Sequence, residues 1–245
     1  MFATFLTLRN TMTMKTQTID MQTTSSKTND GPLLRRTAYE RIEALLNTGT
    51  LTPGQLVSQR ELVELTDSTL GSVREAVSRL EAEGLLQTLP KRGLMVPSLD
   101  ITFVRNAYEL RKLIEVGTLE RSAAVIPKST VENWIQQHEE LLEQITDKPD
   151  KAIFKIIQEL DWDMHSKIVG AGMNTLVDNV YRITAIKIRM AVQSRIQVTP
   201  FNGHRVINEH LSFLRPLAAG DLELCRTKLE QHINNSLTLA LGGTI

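Results

Sequence analysis

Asp161 and His165 stand four residues apart in a stretch of helical periodicity, and His210 and His232 each fall on a later stretch of the same kind. Side chains at i and i+4 project side by side from one face of a helix. Four such groups can converge on one cation. Three neutral imidazoles and one carboxylate suit Zn²⁺, Ni²⁺, Fe²⁺ or Mn²⁺ better than Ca²⁺ or Mg²⁺, which prefer all-oxygen shells. A lone Asp-x-x-x-His is weak evidence, and ordinary buried or surface histidines remain the other reading. His138 and His204 lack matched partners and are expected at the surface, while Trp162 and Met164 are expected in the core.

A second chemical constellation lies between Leu51 and Val96. Ser58-Gln59-Arg60-Glu61 has the spacing of a capping box, which predicts a helix start near Ser58. Thr66-Asp67-Ser68 interrupts the apolar pattern as a turn does, and a second helix is expected from Thr69 or Ser72. Its residues Val73, Ala76, Val77 and Leu80 recur at i, i+3, i+4 and i+7, which buries one stripe and leaves Arg74 outward. Gly84 sits where a left-handed cap would end it. Two short apolar runs follow, separated by the turn cluster Pro90-Lys91-Arg92-Gly93, and read as two strands with a basic tip. In front, Leu34, Ala38, Ile42, Leu45 and Leu46 make an amphipathic helix that ends near Gly49. Together these elements predict a winged helix-turn-helix, whose slim helix suits the major groove and whose wing reaches the neighbouring backbone.

The residues Gly49-x-Leu51-x-Pro53-Gly54, Arg60-Glu61-Leu62, Val73-Arg74-Glu75-Ala76, Leu80-Glu81-x-Glu83-Gly84-Leu85 and Arg92-Gly93 resemble the GntR family of bacterial transcription regulators. The resemblance covers roughly Leu34 to Pro97. It implies operator contacts from Arg60, Arg74, Arg92 and Gly93, and Arg35, Thr69 and Ser72 are further DNA-binding candidates by their placement at helix starts. One departure is visible: Thr69-Leu70-Gly71-Ser72 stands where the family often has Ser/Thr-Arg-Thr-Pro, so a usual groove-reading arginine is missing at Leu70. Bulk charge is no guide, since Pro32 to Ser98 holds as many Lys/Arg as Asp/Glu.

From Leu99 onward, six helices are expected over 103–125, 129–146, 151–170, 174–198, 203–218 and 221–241. They are punctuated by Pro127, Pro149, Gly172, Pro200 and Gly220 and imply an antiparallel bundle. Glu109-Leu110-Arg111 with Glu115, Asp161-x-x-x-His165, Gly172-x-Asn174, Glu209-His210, Gly220-Asp221 and His232 resemble the FCD effector domain of the FadR branch, with a helix count like the VanR-type subgroup. That resemblance implies a divalent metal on Asp161, His165, His210 and His232, with Zn²⁺ first and Ni²⁺, Fe²⁺ or Mn²⁺ as alternatives. It also implies a small organic-acid effector, for which Arg111 is the best second anchor and Arg189 another, both equally readable as ion-pair residues.

Length and composition fit this division: 245 residues, 41% hydrophobic, with 28 basic and 28 acidic side chains. The expected boundaries are a disordered leader over 1–31, a DNA-binding domain over 32–98 and an effector and dimerisation domain over 99–245. The single Cys225 excludes an internal disulfide framework and points to a reducing cytoplasm, and no run approaches a membrane span. The fold expected is mainly α, and the function a homodimeric, ligand-responsive regulator on a pseudo-palindromic operator, with repression the expected direction. A rival is a metal-dependent hydrolase using the Asp/His₃ set, against which no adjacent general base is assignable. A third is a bundle serving dimerisation alone.

Overall fold

The computed structural model describes residues 31–147, 150–195 and 202–245, and the expected leader up to residue 30 lies outside them. Among the described residues the chain is built from nine helices and one small sheet. The first part contains α1 (Gly31–Asn47), β1 (Leu56–Val57), α2 (Gln59–Thr66), α3 (Leu70–Ala82), β2 (Gln87–Leu89) and β3 (Gly93–Met95). The capping box at Ser58 forms as the spacing implies: Glu61 N–H donates to Ser58 Oγ at 3.1 Å and Ser58 N–H to a Glu61 carboxylate oxygen at 2.6 Å. A cap of this kind contributes about 1 kcal/mol. Asp67 and Gly84, at φ +45° and +68°, turn the chain out of α2 and α3. The interior stripe of α3, made of Val73, Ala76, Val77 and Leu80, meets Ala38, Ile42 and Leu46 of α1.

The sheet differs from the expected pair of strands. It has three, in the order β1-β3-β2, both pairings antiparallel, with Val57 and Thr88 flanking Leu94. The extra strand is only two residues long and has no local signature; it exists because β3 offers it an edge. Gly93 is required where they pass, because its φ is +97° and a Cβ there would lie 3.1 Å from the Val57 carbonyl oxygen.

The second part comprises α4 (Ile101–Val125), α5 (Lys128–Asp147), α6 (Lys151–Ala171), α7 (Thr175–Arg195), α8 (Gly203–Ala219) and α9 (Leu222–Ala240). Asp100 caps α4 through Phe103 N–H at 2.6 Å, and Asp221 caps α9 through Leu224 N–H at 3.1 Å. The bundle core gathers residues such as Leu119, Met164, Phe213, Leu214 and Leu229. Helix α7 serves two cores. Ile186 and Met190 are buried with the residues of the first part, whereas Ile188 and Ala191 are buried in the bundle. Arg182 adds polar ties from α7, donating to Glu43 at 2.9 Å, Glu83 at 3.1 Å and Tyr39 Oη at 2.6 Å. No described helix is long and apolar enough to cross a membrane.

Candidate functional site

All six bundle helices contribute to one polar centre. Asp161 and His165 come from α6, His210 from α8 and His232 from α9, with one potential ligand atom of each lying within 4.8 Å of every other. Phe213 forms an apolar floor, its ring centroid 5.7 to 6.0 Å from those of the three imidazoles. The four inward atoms are Asp161 Oδ1 and the Nε2 atoms of His165, His210 and His232. Each is buried and none has a hydrogen-bond partner. His210 Nε2 and His165 Nε2 lie 3.0 and 3.3 Å from Asp161 Oδ1, but the ring geometry does not align them as hydrogen bonds. Buried polar atoms without partners are costly and rare, and four aimed at one point fit a bound cation.

The outer nitrogens of the same rings are all engaged. His165 Nδ1 is 2.7 Å from Glu115 on α4, and His232 Nδ1 is 2.8 Å from Glu209 on α8. Because an ionised carboxylate only accepts, each of these Nδ1 atoms must carry the proton. His210 reaches the same state by a relay: His138 Nδ1 donates to the Trp134 carbonyl oxygen at 2.6 Å, which leaves His138 Nε2 to accept from His210 Nδ1–H at 2.9 Å. Neutral rings so held present Nε2 lone pairs to the centre. The tautomers are assigned from this network of partners.

Electrostatics agree with that assignment for two of the three ligand histidines. Burial pushes His232 down to about 3 and His138 to about 4, and it also lowers His210. His165 is raised, because the Glu115 carboxylate outweighs the effect of burial. Burial opposes ionisation of Asp161 and Glu115, yet both stay well below the usual carboxylate range, Asp161 through His165 and His210, Glu115 through Arg111.

The placement of His138 corrects the surface position expected for it: the side chain is 1% exposed and belongs to the centre's outer ring. Trp162 is also corrected, since it lines a recess and lies 4.8 Å beneath the Arg189 guanidinium, whereas Met164 is buried as expected. His204 is exposed. Arg111 is buried against the centre, its Nε donating to Glu115 at 2.6 Å, while Tyr181 Oη donates to the same carboxylate at 2.7 Å. Two recesses of about 50 and 20 Å³ adjoin the centre and share Arg111, Trp162 and Ile188. Arg189 lines the smaller one and donates to Asn47 of α1 at 3.2 Å and to Ser166 at 3.5 Å.

Among the DNA-binding candidates, Arg60, Arg74 and Arg92 are exposed. Arg60 pairs with Glu64 at 3.5 Å, and Arg74 reaches Gln59 at 3.4 Å. Thr69 Oγ1 caps α3 through Ser72 N–H and lies 2.7 Å from the buried Ser72 hydroxyl, so both hydroxyls serve the helix start. Arg35 falls on α1, and its side chain lies outside those described.

Residues 34–96 match the bacterial regulatory proteins of the gntR family, and residues 106–235 match the FCD domain. The chain belongs to the GntR regulators that carry an FCD domain. It is 24% identical over 212 residues to the HTH-type transcriptional regulator YdfH of Escherichia coli O6:H1, covering 86% of this chain and 90% of that one. It is 26% identical over 184 residues to the HTH-type transcriptional repressor RspR of Escherichia coli K12, covering 75% and 78%. Among solved structures, E. coli McbR/YncC superposes with a TM-score of 0.71 at 16% identity over 84% of this chain and 96% of that one. A GntR transcriptional regulator from Rhodococcus sp. RHA1 does so with 0.69 at 18% identity, over 87% and 100%. This regulator is a DNA-binding protein and not an enzyme, as its family and relatives indicate. FCD domains typically bind metal, and the Asp/His cluster here is of the kind that can.

Proposed function

We propose that this regulator is a repressor that binds a pseudo-palindromic operator as a homodimer and releases it in response to a small carboxylate. Zn²⁺ is the ion that best suits the centre, held by Asp161, His165, His210 and His232, because three imidazoles and a carboxylate match its ligand preference. The single observation that carries this is the convergence of four buried, partnerless atoms whose rings are fixed from outside. When bound, such an ion supplies a Lewis-acidic position for an anionic ligand. Arg111 supplies the second anchor, since its Nε is engaged by Glu115 while its terminal nitrogens have no hydrogen bond among the described residues and it lines both recesses.

The link to DNA runs through α7. Arg189 touches the recess on one side and Asn47 of α1 on the other, so an anion that draws its guanidinium inward weakens its hold on α1. An effector acts only through such a difference between two states. Arg60, Arg74 and Arg92 are the proposed backbone and groove contacts, and repression is favoured because one relative, RspR, is named a repressor. The test combines selection of genomic fragments by the purified protein with Zn²⁺ titration and a screen of small carboxylates. Fragment preference, roughly one Zn²⁺ per chain, loss of that metal in His210→Ala and weakened DNA binding with a carboxylate are expected. The absence of any preferred fragment at every salt concentration would overturn the proposal.

A further inference from the structure

In a helix-turn-helix the second helix lies in the major groove and its N-terminal residues meet the base edges. Helix α3 holds that position here. Its stripe of Ser72, Val73, Ala76, Val77 and Leu80 is buried, so Leu70, Gly71, Arg74, Glu75 and Ser78 lie on the exposed face. Within the first turn that face carries no polar head. Thr69 Oγ1 caps the helix through Ser72 N–H at 3.2 Å and lies 2.7 Å from Ser72 Oγ, so the two hydroxyls serve each other and the helix start. What remains is Leu70, 44% exposed and a member of no apolar cluster among the described residues. Gly71 beside it is exposed as well, and among the described residues a Cβ there would meet only Thr69 Oγ1, at 4.0 Å. Glycine weakens a helix relative to alanine, and one with open space around it lets another molecule approach the backbone closely.

The chemistry of the groove narrows what such a surface can read. Base edges there present hydrogen-bond donors and acceptors, and one apolar group, the C5 methyl of thymine. Set against the N7 of a purine, a leucine desolvates an acceptor and returns no hydrogen bond. Set against a thymine methyl, it takes apolar surface on both sides out of water. Arg74, one turn further on the same face, keeps a charged head for a neighbouring base or phosphate.

We propose that Leu70 is a specificity-determining residue whose side chain packs on the C5 methyl of one thymine in each half-site, with Gly71 letting the start of α3 close in. The inference rests on the operator reading above and adds a base to it. The probe is the genomic fragment that the full chain selects, resynthesised with deoxyuridine in place of one thymine at a time, which removes the methyl and keeps every hydrogen-bonding group. Affinity is read by fluorescence anisotropy at one fixed salt concentration, with circular dichroism confirming the fold of each variant. Uracil at one position per half-site is expected to weaken wild-type binding about three- to fivefold, the effect of one buried methyl. Leu70→Ala is expected to bind thymine and uracil at that position about equally, because the two changes remove the same contact. A penalty that came from altered DNA stiffness would persist in the variant. Leu70→Arg is expected to replace the preference there by one for guanine, about fivefold or more, through N7 and O6. Uracil tolerated at every position by the wild-type chain overturns the proposal and leaves the operator reading standing. A penalty of the same size in Leu70→Ala assigns the methyl to another residue and overturns it too. A wild-type chain that selects no fragment overturns both readings.

Discussion

Replacing His138 by leucine removes the acceptor that fixes His210. The two rings are 1% and 0% exposed and joined at 2.9 Å, so water has no route to replace the lost partner. His210 then has two choices. It can keep its proton on Nδ1 without a partner, at about 1–3 kcal/mol, or move the proton to Nε2 and lose the lone pair aimed at the centre. Outer-ring substitutions of this kind lower metal affinity by about 10- to 100-fold, or about 1.4 to 2.7 kcal/mol. The assay is Zn²⁺ competition against a chromophoric chelator at pH 7.5, on protein shown to be folded. His138→Gln, whose amide can accept from His210 and donate to the Trp134 carbonyl, is expected to recover much of the affinity. A leucine variant that binds Zn²⁺ within about twofold of wild type, a span well below the 10-fold expected, would refute the relay.

Arg182→Ala removes three contacts between α7 and the first part; with the side chain 30% exposed, the loss is discounted to about 1–2 kcal/mol. A Tm lower by roughly 2 to 8 °C is expected in calorimetry, and an unchanged Tm would show that these contacts add nothing. Arg74→Ala should weaken binding to every DNA sequence or relax the preference at one base, with Tm within about 1 °C of wild type, since the side chain is exposed; quantitative footprinting at several salt concentrations tells which, and unaltered affinity would remove Arg74 from the interface. The metal-free protein should lose stability in acid. His138 and His232 are neutral in the fold, with values near 4 and 3, so the unfolded chain gains protons first below about 6.5. Each then withdraws on the order of 2 kcal/mol by pH 5, partly offset by His165, whose raised value acts in the opposite sense. Urea titrations of chelator-treated protein at pH 7.5 and 5 check this, and equal midpoints would contradict it.

Local features were legible before any coordinates. The capping box at Ser58 is set by side chains within three residues of the N–H groups they satisfy, so it can be read from spacing. Asp161 and His165 share one face for the same reason, while their meeting with His210 and His232 was implied by family resemblance. β1 was missed because its two residues acquire strand character only from β3, almost forty positions later. His138 was misplaced although a signal existed: Val131, Trp134, His138, Leu141 and Ile145 form one buried helical stripe, and a histidine within such a stripe belongs inside. The identity of its partner, 72 residues away, is a tertiary fact.

The double allegiance of α7 bears on how this protein can be dissected. Cutting near Leu99 to express the amino-terminal portion alone strips Ile186 and Met190 from its core and leaves a greasy socket open to solvent. Chimeras that graft a foreign reading head onto this sensor face the same difficulty, unless the graft carries a matching seat for those two side chains and for Arg182. The seam between modules is thus a surface of α7 and not a point along the backbone.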